Sequence, residues 1–63
     1  MKIKLKEIRE KKGITQEELA ARSGVSRTTI SDLENEKIES TTNGTMLKIA
    51  EALNCKINDI FLL

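Results

Sequence analysis

The stretch that decides the fold is residues 15–36, TQEELAARSGVSRTTISDLENE. It contains two short helical patterns separated by a turn at Gly24. Thr15 is followed three residues later by Glu18, a capping box that satisfies free backbone N–H groups where the first helix starts. Gly24 can end that helix in the left-handed conformation, and Ser26 can cap the next one. The stretch therefore predicts a helix, a tight turn and a second helix.

The second helix, about residues 27–35, has a narrow apolar stripe formed by Ile30 and Leu33. Its polar side chains must project away from the core. Two helices joined by a short turn containing Gly are held at a steep angle, so one can cross a phosphate backbone while the other enters the major groove. An ordinary helical hairpin with a polar outer face remains the alternative.

In the rest of the chain, apolar residues recur at spacings of three and four, and no stretch alternates as a strand would. Further helices are predicted at about 3–12, ended by Gly13, at about 43–53, capped by Thr42, and from about Asn58. The helix at 43–53 is predicted to bury Met46, Leu47, Ala50 and Leu53. We expect a compact all-α fold of five helices.

Length and composition limit the domain count and the cellular setting. A chain of 63 residues with 38% hydrophobic residues can form one small domain, residues 1–63. Its single cysteine, Cys55, cannot form an internal disulfide, which favours a reducing, cytoplasmic setting. No apolar run has the length of a signal peptide or a membrane span.

The charge is distributed unevenly along the chain. Residues 1–12 carry six Lys or Arg against two Glu, whereas residues 13–36 carry two Arg against five acids. A basic end permits a polyanionic partner, but a solvated Lys-rich helix face explains the same charge and is favoured on charge alone.

The residues that enzymes and metal sites need are missing from the sequence. The chain has no His, no phosphate-cradling Gly loop and no zinc spacing. Glu17 and Glu18 are adjacent and so lie on different faces of a helix. Cys55 has apolar neighbours and is better explained as a small buried hydrophobe than as a redox switch. We therefore expect no enzyme activity, no metal and no cofactor.

Three motifs follow one another with a spacing that resembles the Cro and phage-repressor (XRE-like) type of helix-turn-helix family. They are L-x-x-I-R-x-x-x-G-I-T-Q-E-E-L-A at 5–20, G-V-S-R-T-T-I-S-D-L-E-N at 24–35 and L-K-I-A-E-A-L-N at 47–54. The resemblance covers almost the whole chain. It implies a lambda-repressor-like domain that binds the major groove of double-stranded DNA.

The resemblance also implies roles for individual residues. Positions that contact DNA in the family are occupied here by Gln16 at a phosphate, by Arg27, Thr28 and Asp32 at base edges, by Thr29 and Ser31 beside them, and by Asn35 and Lys37 at the backbone. Arg27 can hold a guanine through O6 and N7, which is worth about 1 to 3 kcal/mol of discrimination. Asp32 can accept from cytosine N4 or pair with a neighbouring Arg, and the pairing is favoured.

Three further implications concern structure. Arg9 and Glu34 match positions that form an internal ion pair in the family, the alternative being two surface charges that do not meet. The family usually has Gly where this chain has Glu36, so Asn35 is expected to take the left-handed turn instead. Lys56 stands where a capping Ser is commoner, which predicts a frayed or shifted last helix.

A homodimer is expected because a monomer of this size would bury only about 600 to 1,000 Å² on DNA. A symmetric pair would place its reading helices about 34 Å apart on a roughly palindromic site. The apolar run 60–63 suggests a self-contact through Ile60, Leu62 and Leu63, with Phe61 mostly in the core. A tail folded onto its own subunit is the alternative.

The expected function is that of a small bacterial or phage transcriptional regulator. The simplest form is a cytoplasmic, nucleoid-associated, Cro-like repressor that occupies an operator as a dimer, controlled by its own concentration rather than by a ligand. A protein-interaction module on the same fold, such as an antitoxin or a bridging factor, is the alternative.

Overall fold

A computed structural model of the chain describes residues 2–37 and 41–62. In these ranges five helices follow one another: α1 (Leu5–Lys11), α2 (Gln16–Ser23), α3 (Arg27–Glu34), α4 (Asn43–Ala52) and α5 (Ile57–Ile60). The predicted all-α, five-helix fold is confirmed. The first helix is shorter than predicted. The last helix begins one residue earlier than predicted, because Asp59 Oδ2 accepts a hydrogen bond from the backbone N–H of Lys56 at 2.9 Å and so takes the place of a side-chain cap.

One element was not predicted, a short antiparallel pair of strands, β1 (Lys2–Ile3) and β2 (Phe61–Leu62). Lys2 lies opposite Leu62 and Ile3 opposite Phe61. The backbone N–H of Lys4 continues the pairing by donating to the Ile60 carbonyl at 2.8 Å. Strands of two residues are too short for alternation to show in a sequence, so only the fold reveals them.

The predicted helix ends around the central turn are confirmed. Thr15 Oγ1 accepts from the backbone N–H of Glu18 at 3.0 Å, and the Glu18 carboxylate accepts from the N–H of Thr15 at 3.5 Å. Gly24 ends α2 with φ of 75°, in the left-handed region that favours glycine. Ser26 caps α3 by accepting from the N–H of Thr29 at 3.2 Å. Local chemistry thus fixes both ends of the turn.

The end of α3 differs from the expectation. Asn35 has φ of −94°, and Glu36 takes the left-handed conformation with φ of 58°. The N–H of Lys37 reaches the Asp32 carbonyl at 2.9 Å, and the N–H of Glu36 reaches the Leu33 carbonyl at 3.4 Å. This bond pattern is a Schellman motif, which requires the left-handed residue at position 36 whichever side chain stands there.

The core is a single cluster that every helix enters. Its buried residues are Leu5, Ile14, Leu19, Val25, Ile30, Leu33, Ile49, Ala50, Leu53, Ile60 and Phe61. The prediction that Leu47 is buried is wrong, since Leu47 is 48% exposed and Ile49 is fully buried. The inner stripe of α4 runs at spacings of three and four through Met46, Ile49, Ala50 and Leu53, which leaves Leu47 on the adjacent face.

The capping box at Thr15 gives a first testable prediction. Thr15→Ala removes the acceptor for the Glu18 N–H, and we expect the free energy of unfolding to fall by about 1 kcal/mol. Chemical denaturation followed by circular dichroism measures this change. Thr28→Ala is the matched control, because Thr28 is exposed on α3 and the same side-chain truncation there should change stability by less than about 0.5 kcal/mol. Equal effects at the two positions would contradict the role of the cap.

Candidate nucleic-acid interface

The outer face of α3 is the candidate interface. The helix buries Ile30 and Leu33 on its inner side, which turns the opposite side outward. Of the residues predicted to reach bases, Arg27 and Thr28 are exposed and Asp32 is half-buried. Thr29 and Ser31, which were predicted to lie beside them, are also half-buried. An open groove of about 380 Å³ brings several of the predicted residues together and is lined by Gln16, Arg27, Thr28, Ser31 and Asp32.

Behind this face, one carboxylate connects three helices. Glu34 on α3 accepts from Arg9 Nε at 2.7 Å and from Arg9 Nη2 at 3.1 Å. Arg9 Nη1 donates to the Ile14 carbonyl at 2.8 Å, and Gln16 Nε2 donates to Glu34 Oε1 at 3.0 Å. The Glu34 side chain is only 2% exposed. The network therefore fixes α1, the start of α2 and the end of α3 relative to one another.

The Arg9 guanidinium of this network has a raised pKa. The hydrogen bond to Glu34 raises the pKa of the Arg9 guanidinium above its ordinary value, against the lowering effect of burial. A raised pKa contributes stability that is present below the ordinary value and is lost only as the pH rises through the raised one. Because an ordinary Arg is already protonated far above neutral pH, Arg9 is positively charged at neutral pH.

Gln16, which was predicted to contact a phosphate, already has a hydrogen-bond partner within the chain. Its amide nitrogen is bonded to Glu34, a partner that the sequence did not predict. A side-chain amide has two N–H donors and a carbonyl oxygen. The second N–H and the carbonyl are not needed for the Glu34 bond, and Gln16 lines the groove. The side chain is thus fixed in orientation while keeping hydrogen-bonding capacity on its open side.

Arg27 also has a partner that the sequence did not predict. Its Nη1 lies 3.2 Å from Oε1 of Glu17, which stands in the first turn of α2. The expected pairing of Asp32 with a neighbouring Arg is wrong within the described residues, where Asp32 makes no ion pair. Arg27, the Arg on the same helix, is five positions from Asp32. Side chains five positions apart on a helix do not face each other as those three or four apart do.

The residues after the reading helix lie at the rim of the interface. Asn35 and Lys37 are both exposed. Asn35 Nδ2 donates to Ser31 Oγ at 3.2 Å, a spacing of four residues on the same face. This contact continues the polar surface from the middle of α3 to its end.

Comparison with known proteins agrees with this arrangement. A family model described as helix-turn-helix matches residues 5–60. The chain belongs to this helix-turn-helix family. Two proteins of Archaeoglobus fulgidus, each named "Uncharacterized HTH-type transcriptional regulator", are similar to it over 62 residues, at 47% and 42% identity. The alignments cover 98% of this chain and 86% and 87% of those proteins.

Membership of the helix-turn-helix family bears on three of the expectations. The resemblance to XRE-like regulators is confirmed. The family comprises DNA-binding proteins rather than enzymes, which confirms that this helix-turn-helix chain is not an enzyme. Both named relatives come from an archaeon, whereas the expected source was bacterial or phage.

The predicted self-contact of the helix-turn-helix chain needs one correction. Ile60 is fully buried in the chain's own core and offers no side-chain surface to a second copy. Phe61 is buried as well, as predicted. Leu62 is half-buried in β2, and Leu63 lies outside the described residues. Only Leu62, of the described part of that run, retains exposed apolar surface.

Residues 2–37 and 41–62 contain no group of three or more His, Cys, Asp or Glu side chains that could hold a metal ion. The helices in these two ranges are all too short or too polar to cross a lipid bilayer. The Cys55 thiol is half-buried against the core and donates to the Leu53 carbonyl at 3.3 Å.

Proposed function

We propose that this helix-turn-helix protein is a transcriptional regulator that recognises a specific double-stranded DNA sequence by placing α3 in the major groove. The observation that carries the proposal is the division of α3 into a buried face and an outer polar face with Arg27 and Thr28 exposed. A major groove admits one α-helix, and short polar side chains near its N-terminus allow close approach to base edges.

The roles of the side chains are those that the family resemblance implies, and the chemistry of each residue supports them. Arg27 donates to O6 and N7 of a guanine, and Thr28 contacts a thymine methyl group or a phosphate. Gln16 donates its second amide N–H to a phosphate at the start of α2, where the helix dipole also favours an anion. Asp32 accepts from a cytosine N4 amino group. Thr29 and Ser31 lie beside these contacts.

The rim residues complete the footprint. Asn35 and Lys37 are exposed just beyond α3, and they contact the phosphate backbone on the far side of the groove. Such contacts fix the position of a protein on the duplex but carry no sequence information. Base selectivity therefore rests on the N-terminal half of α3.

The regulator acts as a homodimer on a palindromic site. One copy contributes a single short reading helix, and one module buries too little DNA for tight selective binding, about 600 to 1,000 Å². Two copies related by a two-fold axis read two half-sites about 34 Å apart. The self-contact includes Leu62, the residue of the described part of the apolar run 60–63 with exposed apolar surface. The simplest outcome is repression in the cytoplasm, at the nucleoid, by blocking polymerase at the operator.

Selection of bound duplexes from a random DNA pool tests this function. We expect an enriched motif with two-fold symmetry, including a guanine in each half-site. For a dimer making about six to ten phosphate contacts, affinity for the enriched duplex should fall roughly 10³- to 10⁵-fold between 50 and 200 mM salt. Recovery of no motif, together with a flat salt response, would favour a protein-interaction module instead.

A further inference from the structure

The contact between Glu17 and Arg27 joins the two helices of the motif at the point where α3 begins. Glu17 Oε1 and Arg27 Nη1 are 3.2 Å apart, and both residues line the same open pocket beside the connection between α1 and α2. Arg27 is the only basic residue of α3. We propose that Glu17 is a positioning residue that holds Arg27 for base recognition and so determines sequence specificity. This inference rests on the proposed function.

The contact with Glu17 leaves Arg27 able to bind a base. A guanidinium has five N–H donors in a rigid plane, and the carboxylate engages one of its nitrogens. The remaining donors suffice for a two-point contact with guanine O6 and N7. A free Arg side chain loses much rotamer freedom when it is fixed. Glu17 restricts that freedom before DNA arrives, which favours the ordered contact.

The same carboxylate discourages indiscriminate binding. An unrestrained Arg at the mouth of a groove can contact any phosphate, a contact that carries no sequence information. Glu17 competes with phosphates for Arg27 and repels them itself. Residues 13–36 carry two Arg against five acids, so the recognition unit has little positive charge to offset that repulsion. A guanine presents two aligned acceptors and no negative charge, so the Glu17 carboxylate weakens the contact of Arg27 with a phosphate more than its contact with guanine.

Glu17 has no comparable role in the fold. Its side chain is 76% exposed, and that of Arg27 is 62% exposed. The capping box at the start of α2 uses the neighbouring Glu18. Exposed ion pairs add little to folding stability. A substitution at Glu17 should therefore leave the fold intact and change DNA selectivity.

Four variants test the inference: Glu17→Ala, Arg27→Ala, the double variant and Glu10→Ala. Glu10 is the matched control, because it is an exposed acid lining the same pocket that makes no ion pair with Arg27. Affinity is measured for a 20-base-pair duplex recovered by the selection and for a scrambled duplex of the same composition. Melting curves by circular dichroism confirm that each variant is folded.

We expect Glu17→Ala to raise affinity for the scrambled duplex about threefold to tenfold, since the released Arg27 then contacts a phosphate. The magnitude of the salt slope on that duplex should increase by about one for each copy of the protein. The ratio of selected to scrambled affinity should fall about fivefold, whereas Glu10→Ala should leave it unchanged. In the Arg27→Ala background, Glu17→Ala should change the ratio no further.

Two results would overturn the inference alone. One is a wild-type preference for the selected duplex that Glu17→Ala leaves intact. The other is a fall in the ratio of selected to scrambled affinity that Glu17→Ala causes equally in the wild-type and Arg27→Ala backgrounds. That result would assign the effect to the charge of Glu17 rather than to its contact with Arg27. A wild-type protein with no preference between the duplexes would overturn the proposed function, and this inference with it.

Discussion

Replacing Arg27 and Thr28 together with Ala is expected to remove the preference for the selected duplex almost completely. The guanine contact alone is worth about 1 to 3 kcal/mol, and a symmetric dimer makes it twice. The affinity for the selected duplex should therefore fall by at least about 30-fold, whereas affinity for the scrambled duplex changes far less. Fluorescence anisotropy with both duplexes at one fixed salt concentration measures the two affinities.

Lys48→Ala controls for the loss of positive charge, because Lys48 is exposed on α4 and lies outside the proposed interface. Its ratio of selected to scrambled affinity should match that of the wild type. Arg27 and Thr28 are both exposed, so the double variant should keep wild-type stability to within about 0.5 kcal/mol. A folded double variant that retains full sequence preference would exclude α3 as the reading helix and would favour an interaction module.

The second large effect is expected at Glu34. Glu34→Ala leaves the Arg9 side chain, only 11% exposed, and the Gln16 amide without their carboxylate. Removing one partner of a buried pair costs about 3 to 5 kcal/mol, and the remaining exposure of Arg9 points to the lower figure. A chain of this length has a total stability of roughly 3 to 9 kcal/mol. We therefore expect a large loss of folded population, measured by urea denaturation.

Two further variants separate the causes at Glu34. Glu34→Gln keeps the size of the side chain and one acceptor oxygen, and its stability should lie between those of the wild type and Glu34→Ala. Glu51→Ala is the control for removing an acid, because Glu51 is exposed on α4 and its loss should cost less than about 0.5 kcal/mol. If Glu34→Ala were as mild as Glu51→Ala, the network would not hold the helices together.

Features set by neighbouring residues were predictable from the sequence. The caps at Thr15, Ser26 and Thr42 each need a hydroxyl and an N–H three residues on, and all three form. The residues that α4 buries were harder to predict, because the apolar residues at 46, 47, 49, 50 and 53 fit more than one helical stripe. Tertiary packing selects the stripe containing Ile49 and leaves Leu47 outside.

Features that depend on residues far apart in the sequence were harder to predict. The outward direction of Arg27 follows from the narrow apolar stripe of its own helix, and it could be predicted. Its contact with Glu17, and that of Gln16 with Glu34, depend on the angle and separation of helices, which no local pattern encodes. The resemblance to a family supplied the pairing of Arg9 with Glu34, but not Gln16 as the second partner of that carboxylate.

The pairing of β1 with β2 has a consequence for how the protein is made. Residues 2–4 pair with residues 60–62. During synthesis β1 therefore cannot pair until β2, almost sixty residues later in the chain, has been made. Such long-range closure slows folding relative to local helix formation. On the ribosome, the four longer helices emerge first, but Ile60 and Phe61 can enter the core only after they too have left the exit tunnel.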